Sequence, residues 1–579
     1  MTISYKIKPQ VEAHIYAVQL NFTATANIHK LYLPVWIPGS YMVREFSKNI
    51  IEIGAIQAHS QITVEQVNKN NWSISGLEIG KQVCVNYTVY AYEYGIRTAF
   101  LDHTRGYFNP TSLCIALTGC EAIPHHVEFD DLPNGWEVVC GLPSINNVFS
   151  AQNYDELLDM PFELGTIKRL EFIVAGVPHY LVLSGVIPEF DEARIINDMQ
   201  KVCAYQINLF GGVAPYTNYT FILNLSGEVY TGLEHRNSTL LMAPFYALPN
   251  LNQSNDEDYI KLMGLISHEF FHTWNVKRIK PKVFTPYNVQ EENYTKLLWW
   301  FEGVTSYYDD LVLYRTGIID QAKYLGVIVD NLNNVYKFAG VTKQSVANSS
   351  LTSWVKYYRQ DENSPNTIIS YYVKGSLIAL CLDLLIRDNS KFSLDDVMLY
   401  LFKQWLHNPV GIAENEFAAI IQTVTGVNLT AFILQATETT DMLPYKDILA
   451  KFGLNLSSRL ATNHQQSGKY NATSNDVARL GDLGAKLEKQ SLGYLVKNVY
   501  DGTCAAEAGL AANDLIIALN NVKLTNLDKQ LGFVKVGDKL LLSLFRQERL
   551  INLELKLVQC KATVFDLKLS DCAKLTKWL

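Results

Sequence analysis

Two histidines four residues apart, with a glutamate directly after the first, constrain this chain more than any other feature. The stretch "SHEFFHTWN" spans residues 267–275 and contains His268, Glu269 and His272. On a helix, residues i and i+4 share one face, so both imidazoles can bind one metal ion and the carboxylate can act on a water beside it. The alternative is a buried helix with two structural histidines, which would place a charged Glu269 next to Phe270, where burial without a partner is costly. The motif therefore favours a zinc hydrolase.

A zinc site of this kind needs a third protein ligand and one open coordination position. The candidate ligand is Glu302 in "LLWWFEGVTSYY", which follows five consecutive apolar residues on the next predicted helix. A carboxylate in such surroundings requires a counter-charge, and a bound metal ion supplies one. Asp309 and Asp310 follow on the same segment, towards its polar end, and are predicted to face solvent.

The composition indicates a globular protein and excludes several classes of partner. The 579 residues are 48% hydrophobic and 18% charged, and at about 150 residues per domain they predict three or four domains. The net charge of −8 gives no attraction for nucleic acid or for an anionic membrane, so neither is an expected partner. Nine cysteines, never spaced as CxxC, do not form a disulfide framework. Since the start lacks the pattern of a leader peptide, a reduced cytoplasmic protein is the expectation.

The pattern of the sequence changes along the chain and predicts a multidomain α+β protein. Residues 1–170 alternate apolar and polar positions in short runs, as in an N-terminal β-sandwich, and residues 171–455 consist mainly of amphipathic helical segments. Residues 456–479 are rich in Ser, Asn, Gln and Thr and are predicted to be a linker. Short strands return in residues 480–560, and residues 561–579 form a C-terminal tail. The linker implies that the C-terminal part folds independently.

Several motifs together resemble the glycyl aminopeptidase family of zinc metallopeptidases, which are relatives of thermolysin. "SHEFFHTWNVKRIKP" followed by "LWWFEGVTSYYDDL" resembles the family's metal site, and "SYYVKGSLIALCLDLLIR" resembles its catalytic-tyrosine helix. "LYLPVWIPGSYMVREFSKNI" and "FLDHTRGYFNPTSLCIAL" are similar to its N-terminal domain, and "YTGLEHRNST" to its substrate-anchoring strand. The resemblance covers most of the chain up to residue 455 and implies that residues 171–455 are a thermolysin-like, mainly helical catalytic domain.

The resemblance also implies a role for each residue of the metal site. Zinc would be bound by His268, His272 and Glu302, where it would polarise the scissile carbonyl and activate a water. Glu269 would act as the general base that takes the proton from this water. Tyr372 would donate a hydrogen bond to the oxyanion, with the adjacent Tyr371 as its rival for that role.

The resemblance further implies how the substrate is bound. Gly232 and Glu234 of "GLEH" would bind the substrate, with the glutamate paired to the α-ammonium group of a peptide that has a free N-terminus. Small first residues such as glycine or alanine are what the family implies. A basic run directly after the metal helix is predicted to be a solvated face or a set of charges that complement the helix dipole, with binding of a substrate carboxylate as an alternative. It consists of Lys277, Arg278, Lys280 and Lys282.

Residues 480–560 resemble a PDZ domain of the bacterial type, on the stretch "LGAKLEKQSLGYLVKNVYDGTCAAEAGLAANDLIIALNNVKL". PDZ domains bind an extended peptide end by adding it as a strand to the edge of a sheet. The binding loop would lie near Leu483 and Gly484 and lacks the usual run of glycines. Both a purely structural PDZ-like domain and one that binds a peptide C-terminus therefore stay open.

These observations predict a zinc-dependent aminopeptidase with a β-sandwich, a catalytic domain and a PDZ-like domain. One alternative is an endopeptidase that uses the same zinc site. Another is a peptide-binding protein in which the PDZ-like domain recruits the ligand and the peptidase site is a relic. All the predicted ligands and catalytic residue types are present, which argues against the relic.

Overall fold

The computed structural model describes residues 2–252, 257–461, 463–464, 466–471 and 482–579. It consists of two compact units. The first contains Met1–Asn293 and Leu401–Ile412, and the second contains Tyr294–Tyr400 and Ala413–Leu579. None of the described helices has the length and apolar character that a membrane-spanning helix needs.

Strands dominate the first 293 residues. The strands are β1 (Ile3–Gln10), β2 (Ile15–Thr23), β3 (Ile28–Tyr32), β4 (Ile50–Gln57), β5 (Ser60–Gln66), β6 (Asn71–Ser75), β7 (Gln82–Tyr90), β8 (Ala99–Leu101), β9 (Arg105–Phe108), β10 (Ala116–Leu117), β11 (His125–Phe129), β12 (Glu137–Val139), β13 (Ser144–Ile145), β14 (Val148–Ala151), β15 (Phe162–Gly165), β16 (Lys168–Val174), β17 (Val177–Gly185), β18 (Tyr219–Ser226), β19 (Thr231–Glu234) and β20 (Ser238–Pro244). The helices are α1 (Tyr154–Leu158), α2 (Glu192–Leu209) and α3 (Glu257–Phe271).

The N-terminal β-domain is built from two sheets. The larger has eleven strands in the order β10-β3-β6-β5-β4-β7-β2-β1-β11-β14-β13, and the smaller has the order β12-β15-β9-β8. Burial alternates along the central strands; in β2, for example, Tyr16, Val18, Leu20 and Phe22 are all at most 1% exposed. This two-residue period is the pattern that predicted a β-domain from the sequence, and the prediction is confirmed.

A five-stranded sheet in the order β16-β17-β18-β20-β19 follows within the same unit. Strands β17, β18 and β20 are parallel, and β19 pairs antiparallel with β20 at the edge of the sheet. Helix α3 packs against β19 and β20. The sheet therefore holds the predicted substrate-anchoring strand directly against the predicted metal helix.

The remainder of the chain begins with a helical segment. The helices are α4 (Leu298–Phe301), α5 (Gly303–Arg315), α6 (Gln321–Tyr336), α7 (Val346–Leu351), α8 (Ser364–Thr367), α9 (Tyr371–Asn389), α10 (Leu394–His407), α11 (Phe417–Thr425), α12 (Thr430–Glu438), α13 (Tyr445–Lys451), α14 (Cys504–Glu507), α15 (Leu527–Leu531) and α16 (Cys572–Leu575). The strands are β21 (Leu454–Leu460), β22 (Ala485–Lys489), β23 (Tyr494–Val499), β24 (Leu515–Leu519), β25 (Val522–Lys523), β26 (Lys539–Arg546), β27 (Arg549–Lys556) and β28 (Thr563–Leu569).

The structure contains strands where the sequence predicted the start of a linker and a C-terminal tail. Strand β21 begins before residue 456 and pairs antiparallel along its length with β28. The side chain of Asn333 on α6 bonds both the N–H and the carbonyl of Phe565 in β28, and Trp578 donates to the hydroxyl of Tyr307. The last residues are thus packed onto the helical segment. Residues 472–479 of the expected linker lie outside the described residues.

The C-terminal β-domain forms a six-stranded sheet in the order β22-β23-β24-β26-β27, with β25 paired to β24. Its core includes Leu483, Val496, Ile516 and Leu542, which are all at most 2% exposed. The predicted strand, small-residue helix and returning strand are present as β23, α14 and β24. The predicted fold class, a β-rich N-terminal domain, a helical middle and a PDZ-like C-terminal domain, is confirmed.

Candidate active site

The two histidines of the motif lie at the C-terminal end of α3. The helix ends at Phe271, and the N–H of His272 still donates to the carbonyl of His268 at 3.3 Å, so the helical turn continues through the second histidine. The Nε2 atoms of the two rings are 3.0 Å apart. Two nitrogen ligands of a tetrahedral zinc ion stand roughly 3.3 Å apart. The pair therefore has the spacing of metal ligands.

The chain after the helix fixes the ring of His272. Its Nδ1 lies 2.7 Å from the carbonyl oxygen of Asn275, so Nδ1 carries the proton and Nε2 carries the lone pair that a metal ion binds. The next residue, Val276, has φ 128°, which is strained backbone for a β-branched side chain. This turn also lets the N–H of Lys277 donate to the carbonyl of His272. The donor set and the fixed tautomer both fit a zinc ion.

The carboxylate of Glu269 is buried against the edge strand β19. The residue is 5% exposed. A Cβ added to Gly232 would stand 2.1 Å from its Oε1 and 2.5 Å from its Cδ, so only glycine leaves room for this carboxylate. The predicted general base and the predicted substrate-binding glycine are thus direct neighbours.

Glu234, two residues further along β19, directs its carboxylate into the same site. One ligand atom each from Glu234, Glu269 and His272 lie within 4.8 Å of one another, and all three residues are buried. A Cβ on Gly39 would stand 2.6 Å from Oε2 of Glu234, and Gly39 has φ 95°. Among the described residues, Oε1 of Glu234 has no hydrogen-bond partner. A buried carboxylate oxygen is therefore available to a cationic ligand.

A buried ionic network around Asp159 supports the end of β19. The Asp159 carboxylate lies 2.6 Å from the ammonium of Lys277 and accepts hydrogen bonds from the backbone and side chain of Arg236. It also lies 3.2 Å from Nδ1 of His235. Burial acts to raise the pKa of Asp159, but the Lys277 ammonium and the Arg236 guanidinium hold it well below its usual range. The carboxylate therefore stays charged and anchors the residues that follow Glu234.

The same network corrects the prediction for the basic run. Lys277 and Arg278 are only 6% and 7% exposed, so the solvated-face prediction is wrong for both. The guanidinium of Arg278 donates to the carbonyls of Thr273, Arg236 and Pro215 and thereby joins the turn after α3 to its neighbours. Lys280 is half-buried over the ring of Tyr287. Lys282 is exposed, as predicted.

In the second unit, Glu302 stands at the junction of α4 and α5 and is 2% exposed. Its neighbour Gly303 lies directly against α9, because a Cβ there would stand 2.5 Å from the Cα of Gly375. A Cβ on Gly375 would in turn stand 2.5 Å from the carbonyl oxygen of Trp299. The backbones of the two helical segments thus touch, which brings the start of α9 close to Glu302.

The two candidate tyrosines occupy the first two positions of α9. Tyr371 is 0% exposed and packs in the core, whereas Tyr372 is half-buried. Burial and the negative charge of Glu302 raise the pKa of Tyr372 well above its ordinary value. Its hydroxyl therefore stays protonated and can donate a hydrogen bond; it lies 3.4 Å from the hydroxyl of Tyr358.

Five residues that support the site were not singled out from the sequence. Three are glycines whose importance depends on a close approach from a distant segment, so no local pattern reveals them. The role of Asp159 is apparent only once the buried cations around it are known. Asn275 acts through its backbone oxygen, which any residue at that position would supply. The glycines are Gly39, Gly303 and Gly375.

Comparisons with known proteins identify the family of the chain. The M61 glycyl aminopeptidase family matches residues 261–378, and the peptidase M61 N-terminal domain matches residues 4–166. A crystal structure of an aminopeptidase N family protein from Idiomarina loihiensis is 36% identical, covers 100% of both chains and has a TM-score of 0.94. The chain belongs to the M61 glycyl aminopeptidase family. It is therefore a metallopeptidase, an enzyme that hydrolyses peptide bonds.

Other comparisons cover smaller parts or more distant proteins. A PDZ domain matches residues 481–557 of this M61 family member. An M1 zinc metallopeptidase from Deinococcus radiodurans is 11% identical, covers 77% of this chain and 95% of its own, and has a TM-score of 0.48. No curated protein matches the sequence significantly.

Proposed function

We propose that this M61 family member is a zinc aminopeptidase that removes small N-terminal residues, glycine or alanine, from peptides. The observation that carries the proposal is the convergence of Glu234, Glu269 and His272, whose ligand atoms lie within 4.8 Å of one another. A base next to a metal ligand is the machinery of peptide hydrolysis. The second carboxylate, whose Oε1 has no hydrogen-bond partner among the described residues, provides a site for the substrate's α-ammonium group.

Zinc is bound by Nε2 of His268, Nε2 of His272 and the carboxylate of Glu302 in this proposal. The spacing of the two nitrogens and the fixed tautomer of His272 support the first two ligands. Burial of Glu302 at 2% exposure and its position within the residues that match the family support the third. When bound, zinc supplies a Lewis acid that polarises the scissile carbonyl and makes a water more acidic.

Glu269 holds the proton that the attacking water loses and passes it to the amine that leaves. Its carboxylate is 5% exposed and fixed against Gly232, so it needs little reorganisation before proton transfer. Gly232 contributes to substrate binding, because its lack of a side chain leaves the backbone of the edge strand β19 accessible beside Glu269.

Tyr372 donates a hydrogen bond to the oxygen that becomes negative as the carbonyl is attacked. Its protonated hydroxyl and partial exposure support this role over Tyr371, which is enclosed in the core. A single donor of this type contributes about 2.7–4 kcal/mol to lowering the barrier.

Glu234 pairs with the α-ammonium group and makes the enzyme start from the N-terminus. Its buried Oε1 lacks a partner among the described residues, and a buried charge is stabilised when an opposite charge binds it. The preference for glycine or alanine rests on the family. The substrates in this proposal are peptides with a free N-terminus. The PDZ-like domain binds the C-terminus of a peptide, and β22 at the edge of its sheet is a strand to which such a peptide can pair. Nine free cysteines fit the cytoplasm.

Metal content tests the ligand set. Glu302→Gln removes the charge of the third ligand, and Asp309→Asn makes the same change two turns along the same helical segment, where no metal is proposed. After exhaustive dialysis, we expect Glu302→Gln to retain about one zinc fewer per chain than Asp309→Asn, with chelator-sensitive activity in Asp309→Asn. Equal zinc content in the two variants would remove Glu302 from the ligand set.

A further inference from the structure

A second group of metal-ligating side chains lies far along the chain from the peptidase motif. It contains His464, Asp482 and Cys560, and one ligand atom from each lies within 4.8 Å of the others. The three residues come from different segments: one follows β21, one precedes β22 and one follows β27. They thus surround the points where the chain enters and leaves the PDZ-like domain.

One distance within this group matches that of a metal centre. The sulfur of Cys560 is 3.6 Å from Nδ1 of His464. In a tetrahedral zinc site with Zn–S of about 2.3 Å and Zn–N of about 2.05 Å, the two ligand atoms stand about 3.6 Å apart. The carboxylate of Asp482 contacts the same Nδ1. The three ligand atoms are therefore close enough for one metal ion to replace this contact and reach them all.

The surrounding structure holds the three side chains in place. Cys560 is 3% exposed, and the side chains of His464 and Asp482 are 11% and 14% exposed. The imidazole stacks on Tyr500 with a centroid distance of 4.9 Å. The backbone N–H of His464 donates to the Asp482 carboxylate at 2.8 Å. The backbone of Asp482 forms an isolated antiparallel β-bridge with that of Val558. Binding of an ion therefore requires the contact between the imidazole and the carboxylate to open, while the packing that positions the three side chains stays in place.

We propose that His464, Asp482 and Cys560 form a second transition-metal site that clamps the base of the PDZ-like domain. An imidazole, a carboxylate and a thiolate are ligands that zinc accepts together, and a water would take the fourth position. The bound ion would tie the strand pair β21–β28 to both ends of the PDZ-like domain. The site shares no residue with the proposed active site and does not depend on the peptidase proposal.

A simple ion pair between His464 and Asp482 is the competing explanation. It accounts for the contact between the imidazole and the carboxylate, but it needs no buried thiol beside the same nitrogen. The two explanations differ in what they predict for Cys560. In the metal site its sulfur is a ligand, and in the ion pair it is a spectator.

Cobalt binding to the full-length chain distinguishes the two. The proposed active site has no cysteine ligand, so a cobalt–thiolate charge-transfer band in the near ultraviolet reports only on Cys560. We expect this band in the wild-type protein, saturating within two equivalents of cobalt, one for each proposed site. Cys560→Ser should abolish it, Asp482→Asn should weaken it, and both Cys572→Ser, at an exposed cysteine, and His268→Ala should retain it. Absence of the band in the wild-type protein would overturn the proposal.

A second measurement needs no variant at all. The wild-type protein is treated with iodoacetamide with and without zinc, and alkylation of each cysteine is followed by peptide mass spectrometry. We expect zinc to slow the alkylation of Cys560 at least tenfold and to leave the rate at the exposed Cys572 unchanged. Equal rates at Cys560 with and without zinc mean that only the ion pair exists.

Discussion

The carboxylate of Glu269 lies so close to Gly232 that an added Cβ would stand 2.1 Å from its Oε1. The proposed general base therefore packs against the backbone of β19, the strand that also carries the proposed substrate-binding Glu234. Gly39 has the same relationship to Glu234, with 2.6 Å from an added Cβ to Oε2. A side chain added at either glycine would displace the carboxylate from its present position.

Gly232→Ala tests this contact. The added methyl overlaps the Glu269 carboxylate and must displace it, so we expect kcat/KM to fall by about 100-fold or more, because a misplaced base loses its alignment. The zinc content should stay unchanged. Gly227→Ala is the matched control, since an added Cβ there meets nothing within 4 Å. Near-normal turnover by Gly232→Ala would show that Glu269 is not the base or is not fixed by this contact.

Tyr372→Phe tests the oxyanion donor. We expect kcat to fall by about 100-fold or more with little change in KM, because the hydrogen bond forms mainly in the transition state. Tyr371→Phe should have a small effect on turnover, since Tyr371 is enclosed in the core. Steady-state kinetics on one peptide measures both variants. If Tyr371→Phe were the crippled enzyme and Tyr372→Phe near normal, the donor would be Tyr371.

Lys374 on α9 provides a test by pH. It is 0% exposed, its ammonium has no hydrogen-bond partner among the described residues, and burial lowers its pKa from 10.5 to about 8 despite the charge of Asp441. Between these values the unfolded chain binds more protons, so this residue makes the free energy of unfolding rise with pH from about 8 to 10.5.

Lys374→Met should therefore be more stable than the wild-type protein at pH 7 by about 1–3 kcal/mol, and it should lack this rise. Lys403→Met, at an exposed lysine on α10, is the control and should keep it. Denaturant unfolding at a series of pH values measures both. A parallel pH dependence in Lys374→Met and the wild-type protein would contradict the assignment.

A chain that ends at residue 478 tests the C-terminal strand pair. It lacks Trp578 and the strand β28. Three apolar side chains of β28, those of Val564, Phe565 and Leu567, are at most 4% exposed. Each buried side chain of this kind contributes about 1.5–3 kcal/mol, so we expect the truncated chain to be insoluble or inactive. Replacing residues 482–557 with a short Gly/Ser linker keeps β28 and should leave a soluble peptidase. Equal solubility and activity of the two chains would show that β28 is dispensable.

Much of this fold could be predicted because its elements carry strong local patterns. The alternation in β2 and the spacing of His268 and His272 are readable from a few neighbouring residues, and the structure places them in a sheet and at the end of a helix. The burial of Glu302 also follows from the apolar run before it. Local sequence is informative where one element determines the environment.

The rest depends on contacts between distant segments. The local sequence predicts that Lys277 and Arg278 face solvent. In the structure they are buried, because Asp159 pairs with Lys277 and backbone carbonyls accept hydrogen bonds from Arg278. Most of strand β21 falls in the segment predicted to be a linker. The strand could not be recognised locally, because its partner β28 lies more than 100 residues later in the chain. The composition of a segment does not show which distant residues will satisfy its polar groups.

The comparison of free and N-acetylated peptides tests the central claim, that Glu234 makes this metallopeptidase start from the N-terminus. Acetylation removes the ammonium charge and leaves a buried carboxylate unpaired, a penalty of about 3–5 kcal/mol. A mixed library of matched free and acetylated peptides, digested by the wild-type enzyme, is analysed by mass spectrometry. We predict sequential loss of N-terminal residues from free peptides and almost no cleavage of acetylated ones. Equal cleavage of both sets at internal bonds would contradict the account and identify an endopeptidase.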